Sequence, residues 1–312
     1  MTASKTGLIA IVGPTATGKS ALAVELALAF QGEIINADSR LFYRGFNIGT
    51  AKPSFQERRG VTHHLIDCLG PDESFNLASF LDATRALIGE ITGRGGLPIL
   101  AGGTGQYVWG LLEGWDVPKV APDEALRSEL ERQLAEQGVA ALHARLHEAD
   151  PAAAAAVDAK NPRRVIRALE RAAAGLEGGN AQRRAAEPPY DALVIGLTIP
   201  RLALYGLIDR RIDAMADAGW VEEVRGLIGS GVPTDAPAMS GIGYREMTAH
   251  VAGELTLAQA VAAAKKATRR LVRHQYNWFK LADPRVKWLE SGPDLASRAK
   301  AAVQDWLLMD CQ

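Results

Sequence analysis

Two short stretches carry the residue types that chemistry on a phosphorylated substrate would need. Gly13-Pro14-Thr15-Ala16-Thr17-Gly18-Lys19-Ser20 fits the pattern G-x-x-x-x-G-K-[ST] at every fixed position, and Asp38 closes the run "EIINAD" shortly afterwards. In such a loop the glycines let successive backbone N–H groups converge on an anion. The helix that follows adds about half a positive charge at its N-terminus. Lys19 can neutralise phosphate oxygens, and the Ser20 hydroxyl can hold a magnesium ion. A carboxylate at Asp38 could hold magnesium, although it sits in a polar cluster with Ser39 and Arg40.

The loop works only with a buried strand before it and a helix after it. Leu8 to Val12 is a wholly apolar run, as expected of a strand covered on both faces of a parallel sheet. "SALAVELALAF" is rich in helix formers. "EIINAD" reads as the next strand, with Asp38 at its carboxyl end, where open α/β sheets place their ligands. "HHLID" (His63 to Asp67) is a further strand candidate, and "NLASFLDATRALIGEITGRG" is an amphipathic helix. "LPILAGG" is a strand running into the glycine turn Gly102 to Gly105, with a helix "QYVWGLLEG" behind it that Thr104 is placed to cap.

Which phosphates the loop holds is a separate question. A P-loop ATPase usually has an acidic residue at the end of a second apolar strand, to hold magnesium. Here "LPILAGG" ends in glycines. The loop could instead hold a diphosphate and drive its departure; a P-loop kinase of a small metabolite or nucleotide is the alternative.

The texture changes after Pro118. Residues 119–188 show only helical periodicity, with "PAAAAAVDA" in the middle, and "ALVIGLTI" (Ala192 to Ile199) then returns to strand character. Lys119 to Ala159 carries four basic and eight acidic residues, whereas Lys160 to Glu187 carries seven basic and three acidic. The expected organisation is an α/β core with a parallel sheet of the P-loop NTPase type, formed by residues 1–118 plus 189–312. An all-helical domain of residues 119–188 is inserted into it. "GLEGGNAQRRAAEPPYD" is expected as a mobile connection, and the C-terminal third as helical. Its long helix, Ala258 to Leu281, places Lys266, Arg269, Arg270, Arg273 and Lys280 on a largely polar face.

Bulk properties exclude several classes. The 312 residues are 47% hydrophobic and 23% charged, an ordinary globular composition with room for a large core. A formal net charge of −1 means that a polyanion would have to be met by a local basic patch. The two cysteines, Cys68 and Cys311, read as a buried thiol and a tail thiol rather than a disulfide, as in a reducing compartment. The first apolar run is too short for a signal peptide, and no stretch approaches the ~20 apolar residues of a membrane span. A cytoplasmic protein is expected. No exposed heptad points to an obligate partner, so a monomer is expected.

The sequence resembles the bacterial tRNA dimethylallyltransferases, also called tRNA isopentenyltransferases, along nearly its whole length. The blocks that carry the resemblance are "GPTATGKS", "NADSRLFYRGFNIGTAKP", "HHLID" with "PDESFNLASF", "GGTGQYV", "NPRRVIRALE", "LYGLIDRRID", "AMSGIGYRE" and "TRRLVRHQYNWFK", in the family's order. The resemblance implies transfer of a dimethylallyl group from dimethylallyl diphosphate to N6 of the adenine 3′-adjacent to the anticodon of a tRNA. Diphosphate is released with Mg2+ as the ion.

It further implies Asp38 as general base, with Lys19, Ser20, Thr104 and Arg211 also catalytic; from the sequence alone Arg210 rivals Arg211. Gly13 through Ser20 would hold the donor diphosphate. tRNA contacts are implied for Asp38, Ser39, Arg40 and Leu41 at the extruded base, and for Thr104 and Arg127. They are implied as well for Lys160, Asn161, Pro162, Arg163 and Arg164, and for Arg273 and Gln275. The chain departs from the family pattern at Leu41, where glutamine is common, and at Leu207 and His274, where arginine is common. "GLEGGNAQRR" lacks the usual Thr-Gly-Lys-Pro-like turn.

Overall fold

Leu8, Ile9, Ala10, Ile11 and Val12 are fully shielded from solvent, and they form the centre of strand β1 (Thr6–Val12). In the computed structural model, which describes residues 5–117, 123–176 and 184–309, the chain continues as α1 (Lys19–Phe30), β2 (Gly32–Asn36), α2 (Phe55–Arg58) and β3 (His63–His64). Then come α3 (Leu77–Gly93), β4 (Leu97–Ala101), α4 (Gly105–Leu112), α5 (Glu124–Ala149), α6 (Pro151–Ala156) and α7 (Pro162–Ala173). The last elements are β5 (Tyr190–Thr198), α8 (Arg201–Asp217), α9 (Trp220–Gly229), α10 (Tyr244–Val251), α11 (Leu257–Trp278), β6 (Val286–Glu290) and α12 (Leu295–Met309).

The strands form one six-stranded parallel sheet in the order β3-β2-β4-β1-β5-β6. β1 lies between β4 and β5, with Ile9 opposite both Ile99 and Leu193. From β1 the chain passes over β4 to reach β2, whereas from β4 it returns across β1 to β5. The connections therefore diverge at β1 and β4, which opens a crevice beyond their carboxyl ends. Ile9 and Ile11 pack with Leu22 and Leu26 of α1 and Val303 of α12 on one face.

The chain divides into two compact units, one of Met1–Gly114 with Ala186–Gln312 and the other Trp115–Ala185. The second unit has its own core, in which Leu130, Leu142 and Leu146 of α5 meet Val165 and Leu169 of α7. Its α5 is interrupted at Gly138, where φ is +78°. The long helix α11 begins at a capping box, Thr256 accepting from Gln259 and Gln259 reaching back.

Three local expectations need correction. The C-terminal third is not wholly helical, because Val286–Glu290 adds a parallel edge strand beside β5. The strand at "HHLID" stops after His64, since Leu65 and Asp67 take positive φ and turn the chain away. Cys68 is exposed rather than buried. Residues 118–119, where the domain boundary is expected, lie outside the described residues. So do Cys311 and residues 177–183 of the expected connection.

Candidate active site

The loop after β1 is shaped by its glycines and by its own side chains. Gly13 has φ +127°, and a Cβ there would stand 2.4 Å from the Leu197 carbonyl oxygen of neighbouring β5, so no other residue fits. The Thr17 hydroxyl donates to the Pro14 carbonyl at 2.9 Å, and the Lys19 ammonium donates to the same oxygen at 2.7 Å. Ala16 adopts φ +65°, a strained value for a residue with a Cβ. The first helical bond of α1 runs from the Leu22 N–H to the Gly18 carbonyl at 3.0 Å, so the N–H groups before it are not taken up by the helix.

A cavity of about 460 Å³ opens there. It brings together Thr15, Ala16, Gly18, Lys19 and Ser20 of the loop, Asp38 and Leu41 beyond β2, Gly102 after β4, and Arg211 of α8. Of the two arginines that the sequence left open, Arg211 lines the cavity and Arg210 is exposed and does not. Gly13, Pro14 and Thr17 are buried in the body of the loop.

The charges in this cavity act on one another. Burial lowers the Lys19 pKa to about 8, with Asp38 opposing the shift and Arg211 adding to it. Burial likewise lowers Arg211, while Asp38 and Glu57 work against it. One carboxylate, Asp38, therefore lies in the field of both cations. Its loop is held by the buried Asn36, whose Oδ1 accepts from the Asp38 N–H at 2.8 Å and whose Nδ2 donates to the Asp38 carbonyl at 3.0 Å. Asp38 Oδ1 accepts from the Arg40 N–H at 3.0 Å. The Thr104 side chain does not cap α4; its Oγ1 accepts from the Ser39 N–H at 3.2 Å instead. Arg40 reaches away to the Pro237 carbonyl and the Ser240 hydroxyl.

A family model described as IPP transferase matches residues 41–282. The chain belongs to the IPP transferase family. It is 48% identical over 300 residues to a tRNA dimethylallyltransferase of Roseiflexus sp. (strain RS-1), covering 96% of this chain and 98% of that protein. A tRNA dimethylallyltransferase of Thermomicrobium roseum is 47% identical over 289 residues, covering 91% of this chain and 86% of that protein. Among solved structures, the full-length tRNA isopentenylpyrophosphate transferase of Bacillus halodurans superposes with a TM-score of 0.74 at 40% identity, covering 98% of both chains. A eukaryotic dimethylallyltransferase acting on tRNA superposes at 0.81 with 23% identity, covering 98% of this chain and 80% of that one, a likeness of fold.

In this IPP transferase family member, Gln275, expected at the tRNA, is engaged inside the protein. It is 5% exposed, its Oε1 accepts from the Thr15 N–H at 2.9 Å, and its Nε2 donates to the Gly103 carbonyl at 3.3 Å. Arg273 is exposed. On the basic face of α11, Lys265 pairs with Asp213 at 2.6 Å and Arg269 with Asp209, which ties α11 to α8; Lys266, Arg270, Arg273 and Lys280 remain exposed.

In the second unit, Arg127 and Arg167 both grip the buried carboxylate of Glu170, at 2.7 and 3.0 Å. Asn161 caps α7 by accepting from the Arg164 N–H, and Pro162 occupies the first turn. Those two start a helix, while Lys160, Arg163 and Arg164 are exposed.

Sequence reasoning missed Ser291, whose hydroxyl donates to the Thr17 carbonyl at 2.8 Å. It also missed Glu223, which accepts from the N–H groups of Asn47 and Ile48 and from the Tyr244 hydroxyl. These partners lie 274, 176, 175 and 21 residues apart in sequence, too far for any spacing pattern to show.

Proposed function

We propose that the protein transfers a dimethylallyl group from dimethylallyl diphosphate to N6 of the adenine 3′-adjacent to the anticodon of tRNA, releasing diphosphate. The observation that carries this reading is the placement of Asp38 in the field of both Lys19 and Arg211 across one cavity. A cation pair over a phosphate loop suits a departing diphosphate, and a carboxylate beside it suits an amine that must lose its proton. The C–O bond to diphosphate breaks with its electron pair leaving on oxygen, a C–N bond forms at N6, and Asp38 takes the N6 proton. Lys19, Arg211 and the loop amides stabilise the charge that develops on the leaving group. Thr104 keeps the Asp38 loop in register through Ser39. Base flipping would bring the adenine to Asp38 and Leu41, because N6 of a stacked base is poorly accessible.

The residues present fit a magnesium ion. Ser20 offers a hydroxyl on the cavity wall, and no group of three or more metal-ligating side chains occurs among the described residues. That donor set suits an ion held mainly by diphosphate oxygens and water. Such an ion would supply charge neutralisation at the leaving diphosphate.

The acceptor is read as the anticodon stem-loop, with the exposed Lys160, Arg163 and Arg164 of the second unit and the exposed Arg273 of α11 toward its phosphates, while Arg127 is taken up by Glu170. We read the enzyme as a cytoplasmic monomer. Among the described residues no helix is long and apolar enough to cross a membrane. A kinase is not favoured, because β4 runs into Gly102 and Gly103 rather than an acid and the relatives are named as dimethylallyltransferases. The test is incubation with dimethylallyl diphosphate, magnesium and tRNA lacking this modification, followed by nucleoside mass spectrometry. A dimethylallyl increment on that adenosine is expected. Its absence, with a control enzyme active on the same tRNA, would overturn the reading.

A further inference from the structure

We infer that Gln275 is a positioning residue for the donor loop, holding it in its diphosphate-binding shape and in register with the turn that supports Asp38. The inference rests on the reading above for the identity of the donor, but not for the geometry. The Gln275 carboxamide sits between the loops that follow the neighbouring strands β1 and β4. Its oxygen takes the Thr15 N–H and its nitrogen serves the Gly103 carbonyl. Gly103 permits this approach, since a Cβ there would lie 2.2 Å from Gln275 Nε2. The next residue after Thr15, Ala16, carries the strained positive φ, and such a conformation persists only where its surroundings hold it. The Thr15 N–H is therefore spent on the protein, and it orients its neighbours rather than binding phosphate.

The chain of contacts continues past Gly103. The Thr104 N–H donates to the Ala37 carbonyl at 3.2 Å, and Thr104 Oγ1 receives the Ser39 N–H. Gln275 thus links the loop that holds the leaving group to the loop that carries the carboxylate. Its helix α11 is itself fixed to the Arg211 helix by the Lys265–Asp213 and Arg269–Asp209 pairs. An RNA contact would need an exposed polar atom, and this carboxamide is buried with both ends engaged.

The test measures binding of inorganic diphosphate and of tRNA separately by titration calorimetry, on the full chain, with no turnover required. Gln275→Met keeps the length and removes both hydrogen bonds. Its diphosphate Kd is expected to rise about tenfold, with tRNA affinity within about twofold of the parent. Unchanged diphosphate affinity, or a loss confined to tRNA, would overturn the proposal.

Gln275→Glu provides a second arm if the methionine variant folds poorly. A protonated carboxyl can accept from Thr15 and donate to Gly103, whereas a carboxylate cannot donate. The ratio of variant to parent diphosphate affinity should approach one at pH 5 and fall toward pH 7.5, and a pH-independent ratio would count against the bridge. Because diphosphate binding is read without transfer, these outcomes stand apart from any failure to modify tRNA.

Discussion

The hydroxyl of Thr104 accepts a hydrogen bond from the backbone N–H of Ser39 at 3.2 Å, so the turn after β4 grips the loop that carries Asp38. Thr104 is the N-cap residue of α4, yet it makes no side-chain cap there. Its oxygen is committed to the loop that follows the neighbouring strand β2 instead. Thr104→Val keeps the shape and removes the acceptor, which leaves the half-buried Ser39 N–H without this partner. Losing one such bond costs about 1 kcal/mol or somewhat more. The expected result is a fall in kcat of about tenfold with the KM for tRNA changed less than about threefold, read by steady-state transfer assays. A fall in stability with unchanged kcat would assign Thr104 to folding alone.

Asp38 is placed so that its role can be tested without disturbing its loop. Asn36 holds the Asp38 backbone at both ends, and the Arg40 N–H needs only an acceptor at Oδ1. Asp38→Asn preserves that acceptor and removes the basic oxygen. Transfer should fall about 10²–10⁴-fold, while tRNA affinity stays within a few-fold. Single-turnover assays with preformed complex separate the two, and near-parental turnover would remove Asp38 from the role of base.

Much of this site is legible in the sequence because its signals are local. The phosphate loop is a strand, a glycine turn and a helix in succession, and buried Leu8–Val12 announces itself as an unbroken apolar run. β6 is different. Val286–Glu290 is an edge strand with three of its five residues at least partly exposed, so "VKWLE" has no continuous apolar run and follows a basic helix. Gln275 shows a further limit. On the helix it falls on the apolar face, and only the folded chain reveals that a polar side chain is there to serve Thr15 and Gly103. The basic face of α11 likewise reads as one surface, but Asp209 and Asp213 of α8 take Arg269 and Lys265 out of it.

Donor binding should lose strength in alkaline solution. Lys19 has its pKa lowered from 10.5 to about 8, first by burial and then by Arg211, against the pull of Asp38. The ammonium is therefore present below pH 8 and is lost above it in the free protein. A bound diphosphate favours the charged form and raises the pKa again, so binding must take up a proton in that window. The Kd for dimethylallyl diphosphate should be flat from pH 7 to 8 and then rise by up to about tenfold per unit. Lys19→Ala should bind weakly at every pH and lack this limb. A parental profile that stays flat to pH 9.5 would show that the lysine keeps its charge.

The ion pairs sort the basic residues into those free to meet RNA and those that are not. Arg163 is exposed near the start of α7, whereas Lys265 is held by Asp213. A lysine or arginine that neutralises a phosphate releases a counterion, and its loss lowers the salt dependence of binding by about one unit of slope. Arg163→Ala should weaken tRNA binding and reduce the slope of log K against log salt by about one. Lys265→Ala should leave that slope unchanged and lower the thermal midpoint slightly, as expected for a partly exposed pair worth at most about 1 kcal/mol. Filter-binding titrations at several salt concentrations measure both slopes. If Lys265→Ala changed the slope and Arg163→Ala did not, the RNA would lie along α11 rather than along α7.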